Sequence, residues 1–147
     1  MFEVFTNRAR KVMAMANQEA QRSHNKFIDT EHILFGLIKE GSGVGFEALK
    51  NLCVDVYKLR MDAEQHVTAE DKVSTLGRLP ETPPAKKVIE YAIEEAKSLK
   101  HEYIGTRHIL LGLLRVTDGI AAQALMKQDI SIDKVREEIK NIHSEEE

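Results

Sequence analysis

The feature that most constrains this chain is an internal repeat. The phrase "FIDTEHILFGLIK" at residues 27–39 returns as "YIGTRHILLGLLR" at 103–115. A shift of 76 positions aligns the two halves of the chain without a gap, and it pairs Thr6 with Thr82, Ala9 with Ala85, Thr30 with Thr106, His32 with His108, Gly36 with Gly112 and Gly43 with Gly119. Self-similarity at a fixed spacing indicates two copies of one structural unit. The fold is therefore expected to be a doubled one.

Each copy is predicted to contain four helices. Apolar residues recur at helical spacing, and the expected starts carry Thr, Asp or Ser, whose side chains accept hydrogen bonds from free helix N–H groups. The first copy is expected to have helices at about 6–23, from Thr30 to near Gly41, at 44–51 and after Asp55. In the second copy the helices begin at Thr82, at Thr106, at 120 and after Ser131. Pro83 suits the first helical position, where its missing N–H costs nothing.

The two copies are predicted to form one all-α domain over residues 1–147. The first repeat covers about 2–67, the polar stretch 68–81 is the linker, and the second repeat covers about 82–143. A helical unit of this size buries little apolar core alone, so the two four-helix repeats are expected to pack as a pseudo-two-fold pair.

Composition excludes several classes of protein. The net charge is −3 and the cations form no long run, which argues against a general nucleic-acid binder. No apolar stretch reaches membrane-spanning length, and the beginning of the chain lacks a signal-peptide core. The single cysteine, Cys53, lies in the apolar sequence "LKNLCVDV". A buried, inert thiol is expected there, which fits a reducing cytosol.

Motifs that carry catalysis are missing from the sequence. There is no phosphate-binding G-x-x-x-x-G-K-[ST] loop and no dinucleotide-binding G-x-G-x-x-G. A metal site built from Asp29, Glu31 and His32 is disfavoured because Gly105 and Arg107 replace the two acids in the second copy. The repeated histidine is expected to satisfy backbone groups near its helix start. The chain is predicted to be neither an enzyme nor a binder of a cofactor or metal.

The change of Glu31 to Arg107 between the copies is the best indication of function. A carboxylate near a helix N-terminus stabilises the helix by a few tenths of a kcal/mol, so Glu31 has a local structural explanation. Arg107 faces the same positive helix end and is locally unfavourable. A residue that destabilises the start of its own helix, with no evident compensating contact, indicates one of two things. Either the position has drifted neutrally at the surface, or it belongs to a site with a function other than helix stability.

Several segments together resemble a known family. The patterns "F-T-x-R-A-x-K-V" at 5–12, "T-E-H-I-L-x-G-L-I-x-E-G-x-G-V" at 30–44, "T-P-x-A-K-K-V-I-E-x-A" at 82–92 and "Y-I-G-T-x-H-I-L-L-G-L-L-R" at 103–115 are similar to the N-terminal domain of ClpC-type Clp ATPases. These AAA+ unfoldases feed a partner protease. The resemblance implies an all-α domain of two repeats that docks adaptor proteins and substrates in the bacterial cytoplasm. It also implies that the domain joins ATPase modules absent from this chain.

The resemblance also implies site residues. In Gram-positive ClpC-type domains each repeat offers a pocket for phosphorylated arginine, and a glutamate after the capping threonine binds the guanidinium. That role carries to Thr30 and Glu31. In the second repeat Thr106 is kept but Arg107 repels a guanidinium, so this pocket is expected to be lost or adapted to a plain anion. Phe2 is a further candidate, as an exposed aromatic that anchors a partner.

Alternative functions remain at this stage. The chain could be a free-standing double-repeat regulator that binds a Clp unfoldase or protease, since a fragment and a small complete protein would look alike. A small hydrolase would need an activity that no motif above supports. The isolated domain is expected to be a monomer that binds neither nucleic acid nor membrane.

Overall fold

Eight α-helices make up the part of the chain that the computed structural model describes, residues 4–65 and 77–143. In chain order they are α1 (Asn7–Arg22), α2 (Thr30–Glu40), α3 (Val44–Asn51), α4 (Val56–Glu64), α5 (Pro83–Ser98), α6 (Thr106–Arg115), α7 (Ile120–Lys127) and α8 (Ile132–Asn141). Helices α1–α4 form the first repeat and α5–α8 the second. The predicted all-α fold of two four-helix repeats is confirmed. The predicted boundaries at 67 and 68 lie outside the described residues.

The helix starts follow from side-chain capping. The Thr6 hydroxyl accepts a hydrogen bond from the Ala9 N–H at 3.1 Å, and the Thr82 hydroxyl accepts one from the N–H of Ala85 at 3.2 Å. Asp55 caps α4 and Ser131 caps α8 in the same way. These caps satisfy N–H groups that have no partner inside the helix. The sequence predicted Thr82, Asp55 and Ser131 as caps and placed the start of α1 near Thr6.

Glycine allows the first two helices of each repeat to pack closely. A Cβ built at Gly36 of α2 would lie 2.4 Å from the Val12 carbonyl oxygen of α1, and one at Gly112 of α6 would lie 2.3 Å from the Val88 carbonyl oxygen of α5. No side chain fits at either distance. The repeated glycine is therefore required by the approach of two backbones.

The two repeats are joined by extended segments and by their buried central helices. Just before α1, Phe5 pairs with Ile104 of the second repeat, and just before α5, Glu81 pairs with Ile28 of the first. The main-chain N–H of Thr6 donates to the Ile104 carbonyl at 3.0 Å. The first eight residues of α2 and the first nine of α6 are buried. Because each repeat pairs its leading segment with the other, the two repeats are related by a pseudo-two-fold axis. Their buried residues form one continuous core.

The prediction that Cys53 is buried is wrong. Cys53 is exposed and has a φ of 60°, in the left-handed region, in the turn after α3. The main-chain N–H of Val54 returns to the carbonyl of Leu49, which is fully buried, and this turn directs the intervening cysteine outward. The neighbouring Leu52 and Val54 pack against the core, while the Cys53 thiol lies at the surface.

Within the described ranges, no single helix is long and apolar enough to cross a bilayer. The pair α6 and α7 passes a length and composition test only when taken together, and the two helices are bent by 91° at the break.

Candidate functional site

The two candidate threonines connect the repeats. We expected Thr30 and Thr106 to cap their own helices, but Asp29 and Gly105 hold the N-cap positions. The Thr106 hydroxyl accepts from the Gly45 N–H of α3 at 2.9 Å, and the Thr30 hydroxyl accepts from the first turn of α7 at 3.3 Å. Each threonine therefore caps a helix of the opposite repeat. The sequence identified the hydroxyl acceptor but not the helix that it serves.

Glu31 is a buried acid that has no counter-charge among the residues that the structure describes. Its side chain is 3% exposed, and its Oε1 atom has no hydrogen-bond partner among the described residues. No lysine or arginine in residues 4–65 and 77–143 forms an ion pair with it. Burial, and then the negative charge of Asp29, raise the pKa of the Glu31 carboxyl to about 7. An unpaired buried carboxylate is costly, so this position calls for a physical explanation.

Two other buried acids show the usual arrangement. Glu19 is 2% exposed and accepts a hydrogen bond from Arg60 at 2.8 Å. Glu95 is 6% exposed and accepts hydrogen bonds from both Arg115 and Arg136. Burial acts to raise the pKa of Glu19, but the hydrogen bond and the charge of Arg60 outweigh it and the pKa is lowered. Glu31 differs from both because no cation in the described part of the chain pairs with it.

Asp29 occupies the positive end of α2. Its Oδ1 atom accepts from the Thr30 N–H at 2.8 Å and from the Thr82 hydroxyl at 2.8 Å. An anion bound at the start of a helix would use donors of this kind. The carboxylate of the chain itself already supplies the negative charge there, beside Glu31.

The second repeat has the opposite charge pattern at the same place. Gly105, which lacks a side chain, stands where the first repeat has Asp29, and the first turn of α6 carries no acid. Arg107 is 8% exposed, and its guanidinium carbon lies 5.7 Å from the centre of the Tyr103 ring. Both sequence-predicted pairs, Thr30 with Glu31 and Thr106 with Arg107, are therefore buried at the repeat junction.

The repeated histidines hold the chain ahead of α2 and α6. Nδ1 of His32 accepts from the Asp29 N–H, and Nδ1 of His108 accepts from the Gly105 N–H, both at 2.9 Å. Nε2 of His108 therefore carries the proton and donates to Nδ1 of His101 at 2.8 Å. Burial, then the charges of His101 and Arg107, lower the pKa of His108 to about 3. The predicted backbone role of these histidines is confirmed.

An apolar groove between α1 and α5 was not found by sequence reasoning. Its volume is about 480 Å³, and Phe5, Met13 and Ile89 are among the residues that line it. The shift of 76 positions pairs Met13 with Ile89, which could have indicated that the two face each other across the pseudo-two-fold axis. The candidate residue Phe2 lies outside the described residues.

The fold and these sites define the class of the protein. It is a tandem-repeat helical domain, and within the described residues no three His, Cys, Asp or Glu side chains are grouped so that they could hold a metal. The model of the Clp repeat (R) N-terminal domain matches residues 4–92 and 82–147. The chain belongs to the Clp repeat N-terminal domain family.

Relatives and solved structures agree with this assignment. The chain is 42% identical over 139 residues to the negative regulator of genetic competence ClpC/MecB of Bacillus subtilis, and 42% identical over 144 residues to the chaperone protein ClpB of Oceanobacillus iheyensis. Each match covers 95% of this chain but only 17% of the relative. The chain thus spans about a sixth of their length.

Solved structures show the same fold. The N-terminal domain of the chaperone ClpD from Arabidopsis thaliana has a TM-score of 0.74 and 24% identity, over 96% of this chain and 95% of that one. The Hsp104 N-terminal domain from Candida albicans has a TM-score of 0.72 and 19% identity, over 92% of this chain and 88% of that one.

Proposed function

We propose that this domain docks substrate and adaptor proteins for a Clp ATPase of the bacterial cytoplasm and performs no catalysis itself. The observation that carries the proposal is the buried Oε1 atom of Glu31, which has no partner within residues 4–65 and 77–143. Buried polar atoms without partners are rare, and a group supplied by a ligand is one explanation for them. ATP-driven unfolding would belong to the parent protein's other domains.

The ligand group that suits Glu31 is a guanidinium. It is planar, always cationic and rich in N–H donors, so it would satisfy the orphan oxygen and neutralise the carboxylate. Family resemblance extends this to phosphoarginine in the first repeat, with Thr30 at the start of the same helix. Because Asp29 already accepts two hydrogen bonds at the positive end of α2, a phosphate would have to displace its carboxylate.

The second repeat is proposed to have lost the guanidinium site or to accept a plain anion. Two guanidinium groups 4 Å apart repel each other by about 1 kcal/mol even at the dielectric constant of water, and by more when they are desolvated. Arg107, the Thr106 hydroxyl and the start of α6 would instead favour a negative group. Phe2 is retained as a proposed surface anchor for a partner protein.

Isothermal titration calorimetry tests the proposal. Phosphoarginine and arginine are titrated separately into the wild-type domain, Glu31→Ala and the control Glu47→Ala, which removes an exposed glutamate from the first turn of α3. We expect one ligand site, lost in Glu31→Ala and kept in the control. Two equivalent sites for phosphoarginine would contradict the assignment of Arg107. Binding that survives Glu31→Ala would contradict the assignment of Glu31.

A capture experiment addresses docking directly. The immobilised domain should retain proteins from a cell lysate, and Glu31→Ala should lower their yield while Glu47→Ala leaves it unchanged. Full retention by Glu31→Ala would show that docking does not use this residue.

A further inference from the structure

Two carboxylates lie close together at the start of α2. Asp29 is the N-cap of this helix, and Glu31 follows in its first turn. Burial raises the pKa of Glu31, and the negative charge of Asp29 raises it further, so the two groups are near enough to repel each other. A cation bound between them would relieve this repulsion and stabilise both ionised acids.

Asp29 also uses the donors that a phosphate would need. Its Oδ1 atom accepts hydrogen bonds from the Thr30 N–H and the Thr82 hydroxyl, both at 2.8 Å. A phosphate at the same place would have to displace this carboxylate, and it would then lie beside a second negative charge on Glu31. The start of α2 is therefore suited to a cation and unsuited to an anion.

The second repeat shows how a guanidinium lies beside the equivalent helix start. The guanidinium carbon of Arg107 is 5.7 Å from the centre of the Tyr103 ring, which is within the range of a cation–π contact. The shift of 76 positions places Phe27 where the second repeat has Tyr103, and Glu31 where it has Arg107. A ligand guanidinium paired with Glu31 would therefore come close to the Phe27 ring.

Phe27 is open to such a contact, since it is 47% exposed in the segment that leads into α2. A single exposed apolar side chain is common on protein surfaces and needs no explanation by itself. Phe27 is informative because its equivalent, Tyr103, already contacts a guanidinium. The face of an aromatic ring is negative, so it attracts a cation and repels a phosphate.

We propose that Asp29 determines the specificity of the Glu31 site, which binds an unmodified arginine side chain of another polypeptide in preference to a phosphorylated one. Glu31 and Asp29 would neutralise the guanidinium, and Phe27 would cover one of its faces. The inference deepens the docking function proposed above and rests on it.

Fluorescence anisotropy with three labelled peptides tests the inference. The peptides share one short sequence and carry arginine, phosphoarginine or the neutral isostere citrulline at the central position. We expect the wild-type domain at pH 8 to bind the arginine peptide about five- to tenfold more tightly than the phosphoarginine peptide. The citrulline peptide, which lacks the positive charge, should bind at least about tenfold more weakly than the arginine peptide.

Asp29→Gly gives the first repeat the residue that stands in the second, and it should reverse the preference. The donors of Thr30 and Thr82 would become available to the phosphate, so the phosphoarginine peptide should gain about five- to tenfold while the arginine peptide loses about two- to fivefold. Asp29→Asn removes the charge but keeps a capping side chain, so it should narrow the preference without reversing it. The control Asp55→Gly makes the same change at the N-cap of α4 and should alter either affinity by less than about twofold. Far-UV circular dichroism verifies that each variant folds.

An aromatic variant tests the platform separately. Phe27→Ala should weaken the arginine peptide by about two- to fivefold. The control Tyr57→Ala removes an aromatic ring that is 75% exposed on α4 and should change the affinity by less than about twofold. An unchanged affinity in Phe27→Ala would contradict the assignment of Phe27.

The outcomes separate this inference from the proposed function. Equal or tighter binding of phosphoarginine by the wild type, or an unchanged preference in Asp29→Gly, would overturn the inference while Glu31-dependent binding keeps the docking site. Binding of neither peptide, or binding that survives Glu31→Ala, would reject the Glu31 site and this inference with it.

Discussion

Replacing Glu31 by glutamine should stabilise the protein at neutral and alkaline pH. The pKa of this carboxyl is about 7 in the folded protein, compared with an ordinary value of 4.5. Because each pKa unit corresponds to about 1.36 kcal/mol, keeping Glu31 ionised in the fold costs about 3 kcal/mol. Glutamine has nearly the same shape and no ionisation, so Glu31→Gln removes that cost.

The sign of the pH dependence follows from proton binding. The folded protein holds the Glu31 proton more tightly than the unfolded chain does, so this residue lowers the free energy of unfolding as pH rises from about 4.5 to 7. Below this window Glu31 is neutral in both states, and above it the loss is complete. Glutamine introduces a buried NH₂ group that can cost about 1 kcal/mol at every pH.

Urea unfolding at pH 4.5, 6, 7 and 8 measures the effect. Far-UV circular dichroism is the appropriate signal because the chain is helical and has no tryptophan. The free energy of unfolding of Glu31→Gln minus that of wild type should rise by about 3 kcal/mol between pH 4.5 and 8. Taking the difference cancels the other titrating groups. At pH 8 the variant should be the more stable by about 1–2 kcal/mol.

A matched control has the opposite sign. Glu19 is equally buried but paired with Arg60, and its pKa is lowered. Its stabilising contribution is present above pH 4.5 and is lost as the pH falls through its folded pKa, so Glu19→Gln should destabilise the protein at pH 7. A pH-independent difference for Glu31→Gln, or a wild type that is more stable at pH 8, would refute the reasoning.

Four further substitutions or reactions test the fold. Gly36→Ala should lower the free energy of unfolding by about 1–3 kcal/mol in urea titrations, because its Cβ would meet the Val12 carbonyl oxygen; a neutral result would contradict the close packing of α1 on α2. Lys100→Gly should raise it by about 0.5–1 kcal/mol, since Lys100 has a φ of 60°; destabilisation would argue against a left-handed turn there. Cys53 should react with a thiol reagent in the native protein as fast as in urea, and protection would contradict its exposure. His101→Asn should change stability by less than about 0.5 kcal/mol, because asparagine holds the equivalent position of the first repeat and makes the same hydrogen bond; a larger loss would assign His101 a further role.

The helices could be predicted because their signals are local. Thr82, Asp55 and Ser131 are capping residues whose hydrogen bonds close within three positions, so the sequence alone predicted them. The repeat, which aligns without a gap, predicted two equivalent halves. Resemblance and the internal comparison together identified Glu31 and Arg107 as the positions where the halves differ.

The features that were missed depend on contacts between the repeats. Nothing local to Thr30 shows that its hydroxyl reaches a residue 91 positions away, and nothing local to Thr106 shows that its hydroxyl reaches one 61 positions away. The burial of Glu31 and the use of Asp29 by Thr82 arise from the same junction. Cys53 was misassigned because its apolar neighbours suggested a core position, whereas a left-handed turn directs it outward.

The exchange of caps by Thr30 and Thr106 has a consequence for how such a protein can originate. Because each half completes a helix of the other, one half made alone would expose an uncapped α3 and an apolar face. Two identical copies of a single half could supply each other's caps through a symmetric dimer. Gene fusion would then hold the partners together and allow each to drift. The opposite charges at Glu31 and Arg107 are the kind of divergence that only a fused pair, and never a homodimer, can accumulate.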